Sequence, residues 1–303
     1  MEVDNRLWGI DLGGTKVEGA IIDPEDLTKP DHRLREPTEA DKGYHHVLGQ
    51  IVKVVEALEK SSGLHRPGLI GIGTPGAIDP SSGTIKNSNS TCLNGMPLKK
   101  DLERILGTRL RIANDANCFA LAEACLGAAR GAVVVMGLIL GTGVGGGVVV
   151  NGHVLDGLHG IAGEWGHNPL RGETTPCYCG RSGCIETVIS GTGLQHYYRE
   201  QSGRDLRLPE ITRLAGEGSD PVARATMDRL RDKFGEAIAA VINILDPDAV
   251  VIGGGVGNID LLYEEETREA ILAYTFNPEL RTRILRPALG DSAGVFGAAM
   301  LSG

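Results

Sequence analysis

Between Glu164 and Glu186 the chain places three of its six cysteines, Cys177, Cys179 and Cys184, within eight residues, and His167 lies just upstream. One imidazole and three thiolates are the ligand number and type of a closed tetrahedral zinc site. The pattern H-x9-C-x-C-x4-C is specific, and Gly180 and Gly183 allow the tight turn that brings Cys184 back to the metal. A redox pair would need C-x-x-C near a thioredoxin-like pattern, which is absent. Cys92, Cys118 and Cys125 are scattered among apolar neighbours and read as core residues. The flanking acids then acquire a role. Glu164 precedes one ligand by three residues and Glu186 follows another by two, so a metal knot would fix both. Anchored carboxylates can each accept two or more hydrogen bonds from sugar hydroxyls. The second ring nitrogen of a zinc-bound His167 could face the same ligand.

A second candidate is Asp115, in Asn114-Asp115-Ala116-Asn117, between a strand and the first turn of a helix. Asn and Asp are favoured helix N-caps. An Asp at a helix N-terminus also stays ionised near neutrality and could take a proton from a substrate hydroxyl. The sequence leaves cap and general base evenly matched.

Three glycine clusters complete the inventory: Gly13-Gly14, Gly141 to Gly147 and Gly253 to Gly257. Backbone N–H groups of glycines can converge on a polyphosphate without side-chain obstruction. Gly13-Gly14 alone is an ordinary hairpin turn, but Asp11 beside it is unfavourable near phosphate unless Mg²⁺ intervenes. Gly141-Thr142-Gly143-Val144-Gly145-Gly146 fits the dinucleotide fingerprint, which requires a helix next. The β-branched stretch that follows reads as a strand, so an oxidoreductase is a weak reading. No G-x-x-x-x-G-K-[ST] occurs.

The elements that must carry these residues follow from periodicity. Leu7 to Leu12 and Lys16 to Ile22 read as strand, turn, strand. Residues 44–59 have helical spacing of apolar residues. Leu69 to Gly73 and Arg109 to Ala113 read as buried strands, and Ala116 to Leu126 as a helix. Val133 to Leu140, a turn over Gly141 to Gly147 and Val148 to Val150 repeat the opening design, which predicts two related halves. Pro221 to Leu245 is a long helix, Ala249 to Ile252 a strand feeding the third glycine cluster, and Ala293 to Leu301 a small-residue helix. The boundary between halves is placed near Asp115.

A chain of 303 residues with 41% hydrophobic and 23% charged residues is globular, and its 44 glycines are about twice the usual share. A net charge of −9 argues against nucleic acid or an anionic membrane as partner. No apolar run approaches the roughly 20 residues of a transmembrane helix. The acidic, polar opening does not resemble a signal peptide. A cytoplasmic protein is expected.

Together, Asp11-Leu-Gly-Gly-Thr-Lys16, Gly73-Thr-Pro-Gly76, Asn114-Asp115-Ala-Asn117, Gly141-Thr-Gly-Val-Gly-Gly-Gly147, Glu164-x-x-His167, the cysteine knot and Val251-Ile-Gly-Gly-Gly255 resemble the ROK family of sugar kinases and repressors. The resemblance runs along essentially the whole chain in the family's order. It implies an α/β actin-like, hexokinase-like (ribonuclease H-like) fold of two domains around a cleft. The expected domains are 1–115, completed by a C-terminal helix at about 290–303, and 116–289. It implies Asp115 as general base, and Asn89, Asn114, Glu164, His167 and Glu186 as sugar contacts. Asp11 would be the Mg²⁺-side acid. Gly13, Gly14, Thr15 and Lys16, with Gly141, Thr142 and Gly143 and with Gly253, Gly254 and Gly255, would be the ATP loops. The repressor branch carries an N-terminal helix-turn-helix; here the first phosphate turn arrives too early for one, so an enzyme is expected, working on sugar and ATP as a homodimer. Lys86 to Leu98, Gly163 to Leu170 and Cys184 to Gly193 look most like the fructokinase branch, and Met136 to Gly147 is similar to N-acetylglucosamine kinase. Fructose is therefore the first expectation, with mannose or glucose as further sugars. N-acetylglucosamine kinase or glucokinase is the alternative, and a sugar-binding sensor the non-enzymatic one.

Overall fold

A computed structural model of the chain describes residues 5–26 and 29–303. Two five-stranded sheets organise it. The first contains β1 (Leu7–Leu12), β2 (Lys16–Ile22), β3 (His32–Pro37), β4 (Leu69–Thr74) and β7 (Arg109–Asn114), in the order β3-β2-β1-β4-β7. The β1–β2 and β2–β3 pairs are antiparallel, and β1–β4 and β4–β7 are parallel. A short antiparallel ribbon, β5 (Ala77–Ile78) with β6 (Ile85–Lys86), follows β4. The second sheet contains β8 (Val134–Leu140), β9 (Val144–Val150), β10 (His153–Val154), β11 (Ala249–Gly253) and β12 (Arg283–Leu285), in the order β10-β9-β8-β11-β12. Each sheet runs third, second, first, fourth, fifth strand, so the repeated hairpin in the sequence marks a repeated sheet topology.

β9 begins at Val144, inside the stretch expected to be turn. Gly146 and Gly147 occupy a strand there because neighbours come too close for side chains: a Cβ on Gly146 would lie 2.4 Å from the Gly163 carbonyl oxygen and one on Gly147 2.7 Å from that of Ala116.

The chain divides into two compact units, one of residues 1–130, 147–162 and 288–303, the other of 131–146 and 163–287. The first break falls at 130/131, not near Asp115, because α3 (Asp115–Cys125) packs with the first unit. Its partner there is α10 (Ala293–Met300), which also covers β1 and β4. That packing requires glycine. A Cβ on Gly71 would sit 1.7 Å from the Ala298 carbonyl oxygen, and one on Gly297 would sit 1.8 Å from that of Cys118. The other side of the first sheet takes α1 (Tyr44–Ser62), which buries Tyr44, Val47, Leu48, Ile51, Val54, Val55 and Leu58. These positions recur every three or four residues, the spacing of one helical face. α2 (Leu98–Leu106) packs on α1 and β7.

The second unit carries α4 (Ile185–Ile189), α5 (Gly191–Ser202), α6 (Leu208–Gly216), α7 (Pro221–Leu245), α8 (Gly254–Gly257) and α9 (Glu265–Leu272). α7 starts as its sequence dictates, with Pro221 in the first turn and Asp220 capping the N–H groups of Val222 and Ala223. No helix among the described residues is long and apolar enough to cross a membrane.

Candidate active site

Parallel strands gather functional residues at their carboxyl ends, the usual place for ligands in open α/β sheets. In the first unit the register aligns Asp11 with Gly73, Gly73 with Ala113, and Thr74 with Asn114. Asp11, the Gly73 turn and Asn114-Asp115 thus emerge along one edge of three adjacent strands. Glycine makes room for the acid: Cβ atoms on Gly294 and Gly73 would lie 2.7 and 3.3 Å from the Asp11 carboxylate oxygens. Burial, then the charges of Asp115 and Glu18, push the Asp11 carboxyl up to about 6, against a smaller opposing pull from Lys16.

The question of cap or base at Asp115 has a structural answer on the cap side. The N-cap of α3 is Asn114, whose Oδ1 accepts from the Asn117 N–H at 2.7 Å. Asp115 is the first helical residue, its Oδ1 accepting from Ala116 N–H at 2.8 Å. Its side chain reaches solvent, yet the protein mass around it raises its carboxyl above the ordinary range, with the Ala116 N–H opposing. Asn114 keeps its amide NH₂ for another partner. Asn89 is exposed between buried Ser88 and Ser90, in a loop pinned by Asn94, which accepts from Ser88 N–H and donates to the Ser88 carbonyl. Nothing in the local sequence marked Asn94 as the brace.

The first glycine turn closes with Gly13 N–H donating to the Lys16 carbonyl at 2.9 Å. Thr38 holds it from the end of β3, donating its hydroxyl to the Gly13 carbonyl and its N–H to that of Thr15. Lys16 is paired with Glu18 at 2.8 Å.

In the second unit, β8 and β11 run parallel with Ile139 opposite Gly253. The loops Gly141-Thr142-Gly143 and Gly254-Gly255 therefore leave neighbouring strands at the same end. Gly141 N–H donates to the Gly143 carbonyl at 2.9 Å, Gly191 N–H to the Gly141 carbonyl at 2.8 Å, and the Thr192 hydroxyl to the Thr142 carbonyl at 2.9 Å. Glu186, in the first turn of α4, accepts from Val144 N–H at 2.8 Å. One of its oxygens is thus committed to the glycine loop, a contact 42 residues apart in sequence.

The cysteine knot forms as its spacing implies. Ligand atoms of His167, Cys177, Cys179 and Cys184 all lie within 4.8 Å of one another. His167 Nδ1 is 3.7 Å from Cys177 Sγ, and Cys179 Sγ is 3.6 Å from Cys184 Sγ. Zinc–sulfur bonds of about 2.3 Å give tetrahedral edges of about 3.8 Å, so the donor set fits that ion. Gly180 and Gly183 adopt φ of 87° and 71°, the left-handed turn that other residues resist. Backbone bonds close the knot: Cys177 N–H donates to the Arg181 carbonyl, Leu170 N–H to that of Gly183 and Ile185 N–H to that of Asn168.

The structure also supplies a residue that the sequence reading passed over. His167 Nε2 is 3.0 Å from the Tyr178 hydroxyl, with the rings edge to face at 5.2 Å. Surrounding protein, followed by the carboxylate of Glu186, pushes the Tyr178 phenol up to about 12, Glu164 and the knot's thiols adding to the effect. The only signal in the sequence was its place between two candidate metal ligands.

Residues 7–303 match the ROK family. Among curated proteins, an N-acetyl-D-glucosamine kinase of Photobacterium profundum is 36% identical, over 97% of this chain and 98% of that protein. Among solved structures, a ROK hexokinase from Thermus thermophilus superimposes with TM-score 0.87 at 33% identity, covering 98% of this chain and 97% of that one. A ROK glucokinase from Streptomyces griseus, in complex with glucose and AMPPNP, gives TM-score 0.77 at 26% identity, covering 98% and 99%.

Proposed function

The chain belongs to the ROK family and is an ATP-dependent sugar kinase; we propose that its sugar is N-acetylglucosamine, phosphorylated on the 6-hydroxyl. The observation that carries this choice is the 36% identity to an N-acetylglucosamine kinase along nearly the whole of both chains. The fructose expectation rested on short motifs and finds no support in these relatives. A broader hexokinase is the second reading, favoured by the likeness to the Thermus thermophilus enzyme.

In phosphoryl transfer the protein mainly positions reactants and stabilises charge, while a carboxylate orients the attacking hydroxyl and receives its proton. We assign that carboxylate to Asp115. It is not needed as the helix cap, and it is reachable by solvent. Asn114 would donate through its amide to a neighbouring hydroxyl, and Asn89 is exposed for the same use. Glu164, His167 and Glu186 would hold ring substituents. Gly13 to Lys16, Gly141 to Gly143 and Gly253 to Gly255 would present N–H groups to ATP. Asp11 would hold Mg²⁺, which supplies positive charge to the phosphates. Zinc would bind His167, Cys177, Cys179 and Cys184 and brace the segment that carries Glu164 and Glu186.

The test is ADP release with ATP and Mg²⁺ on N-acetylglucosamine, glucose, mannose and fructose in parallel. The highest kcat/KM is expected with N-acetylglucosamine. A highest value with fructose would restore the motif-based reading. Tight sugar binding without turnover on any of them would make the protein a sensor.

A further inference from the structure

The third glycine cluster has almost no side chains with which to hold its own shape. Gly253, Gly254 and Gly255 follow one another where β11 ends, and Gly257 closes the loop. Glycine loses more conformational freedom on ordering than any other residue. N–H groups on such a loop converge on a ligand only if its surroundings fix the backbone. Part of that fixing is steric. Gly254 adopts φ of 83°, and a Cβ there would lie 2.4 Å from the Leu140 carbonyl oxygen. One on Gly257 would lie 2.6 Å from the carbonyl oxygen of Ile252. The loop is thus folded onto the end of β8 and back onto its own strand. Gly255 is the open position, where a Cβ would meet nothing within 4 Å.

The remaining support comes from Tyr263, in a 3-10 turn, Asp260–Tyr263, that follows the loop. Its hydroxyl donates to the Gly257 carbonyl at 2.7 Å and lies 3.2 Å from the Ile252 carbonyl. Ile252 immediately precedes the glycines and Gly257 is the last of them, so one hydroxyl spans both ends of the loop. Burial pushes the phenol up to about 12, against a pull from Arg286 and with a smaller push from Asp260, so the donating proton is retained at neutral pH. The ring is held in turn. The Arg286 guanidinium stacks over it, 4.0 Å from the centroid, and donates to the Asn258 carbonyl at 3.4 Å and to the Asp260 carboxylate at 2.5 Å.

We propose that Tyr263 is a positioning residue of the nucleotide site, its hydroxyl clasping the two ends of loop 253–257 so that the loop's N–H groups are set before ATP arrives. The proposal rests on the reading that Gly253 to Gly255 present N–H groups to ATP, and it names the side chain that pre-organises them.

The test compares Tyr263→Phe with the unaltered enzyme. The variant keeps the ring under Arg286 and removes one oxygen. ATP KM at saturating N-acetylglucosamine and Mg²⁺, sugar KM at saturating ATP, ADP Kd by calorimetry and the melting temperature are measured on both proteins. ATP KM and ADP Kd are expected to rise about 2- to 10-fold, the range for one lost hydrogen bond. The sugar KM and kcat stay unchanged, and the amides of residues 253–258 exchange faster in the nucleotide-free variant. A lowered melting temperature with ATP KM and ADP Kd unchanged overturns the proposal, because Tyr263 would then support the fold alone. An equal rise in the sugar KM also overturns it, because the effect would not belong to the nucleotide loop. The underlying reading fails by a different result. Gly255→Val adds a side chain only where the protein leaves space, so an unchanged ATP KM in that variant would remove the loop itself from the nucleotide site.

Discussion

The two glycine hairpins occupy equivalent places in the two sheets, and they are held in opposite ways. The β1–β2 turn is surrounded by charge. Glu18, buried on β2, meets Lys16 at 2.8 Å, Arg35 at 2.9 Å and the Arg33 guanidinium. Burial works to raise the Glu18 carboxyl, and these three cations outweigh it and hold it below the ordinary range. The β8–β9 turn carries no charged residue, and its bracing comes from the α4–α5 junction through Glu186, Gly191 and Thr192. The knot ends at Cys184 and α4 begins at Ile185, so whatever fixes the knot also fixes the second hairpin. One half of a duplicated design positions its turn by electrostatics. The other does so by hydrogen bonds from a segment that a metal would rigidify.

The largest expected effect tests the charged half. Asp115→Asn preserves shape and leaves the Asn114 cap intact, so the helix start and the fold survive. Loss of a general base typically costs about 10²- to 10⁴-fold, and kcat should fall by that factor with the melting temperature retained. Near-normal turnover would remove Asp115 from the chemistry.

Asp11→Asn should separate activity from stability. The Asp11 carboxyl is raised to about 6 in the folded chain. A raised carboxyl stabilises the fold fully below its unfolded value, near pH 4, and loses that contribution as pH rises through 6. At pH 7.5, without Mg²⁺ or nucleotide, the charged Asp11 is therefore a burden, and Asp11→Asn should be more stable by about 2–3 kcal/mol. Denaturant melts should show the difference shrinking to nothing near pH 4. Turnover should be lost at every pH. A variant less stable at pH 7.5 would show that Asp11 is satisfied by its surroundings.

What the sequence made legible was whatever is written in local spacing. The strand–turn–strand repeats, the α1 and α7 faces and the clustering of the four knot residues all follow from residue type and short intervals. Two features depended on pairings that no local pattern encodes. The Glu18 cluster arises only when β2 and β3 pair, setting Arg33 and Arg35 beside Glu18. Glu123, fully buried in α3, accepts from Ala128, Ala288 and Leu289 N–H groups, the last two 165 and 166 residues away. That tie, with the packing of α10 on α3, is why α3 belongs to the first unit. At Asn114-Asp115 the ambiguity was one residue of helix register. Tyr178 was hidden by its neighbours, since a tyrosine between two ligand cysteines looks like spacing.

The half that a metal would brace is tested by Cys179→Ser. The purified enzyme should contain about one zinc per chain, and the variant should contain much less. Its knot amides, residues 177–184, should lose protection in hydrogen exchange while those of the first sheet keep theirs. Activity should fall on the order of tenfold, within the range seen when the support of a metal site is weakened. Equal exchange in both proteins would mean that the backbone bonds of the knot suffice without an ion.

The smallest effect is the most discriminating. Glu186 has two tasks under the proposed function, holding Val144 N–H and meeting a sugar hydroxyl. Glu186→Gln retains a carbonyl oxygen that can still accept from Val144, so the glycine loop stays in place. What changes is the strength of acceptance: hydrogen bonds to charged groups contribute about 1.5–3 kcal/mol against about 0.5–1.5 for neutral ones. A difference near 1 kcal/mol corresponds to roughly fivefold in binding. The sugar KM should rise by about that factor, with kcat and the ATP KM close to normal. If the ATP KM rises instead and the sugar KM holds, Glu186 is a brace for the nucleotide loop alone, and the proposed sugar contacts of the second unit reduce to Glu164 and His167. Glu186→Ala then serves as the reference: it removes the acceptor altogether, so the ATP KM must rise in it whichever role is correct.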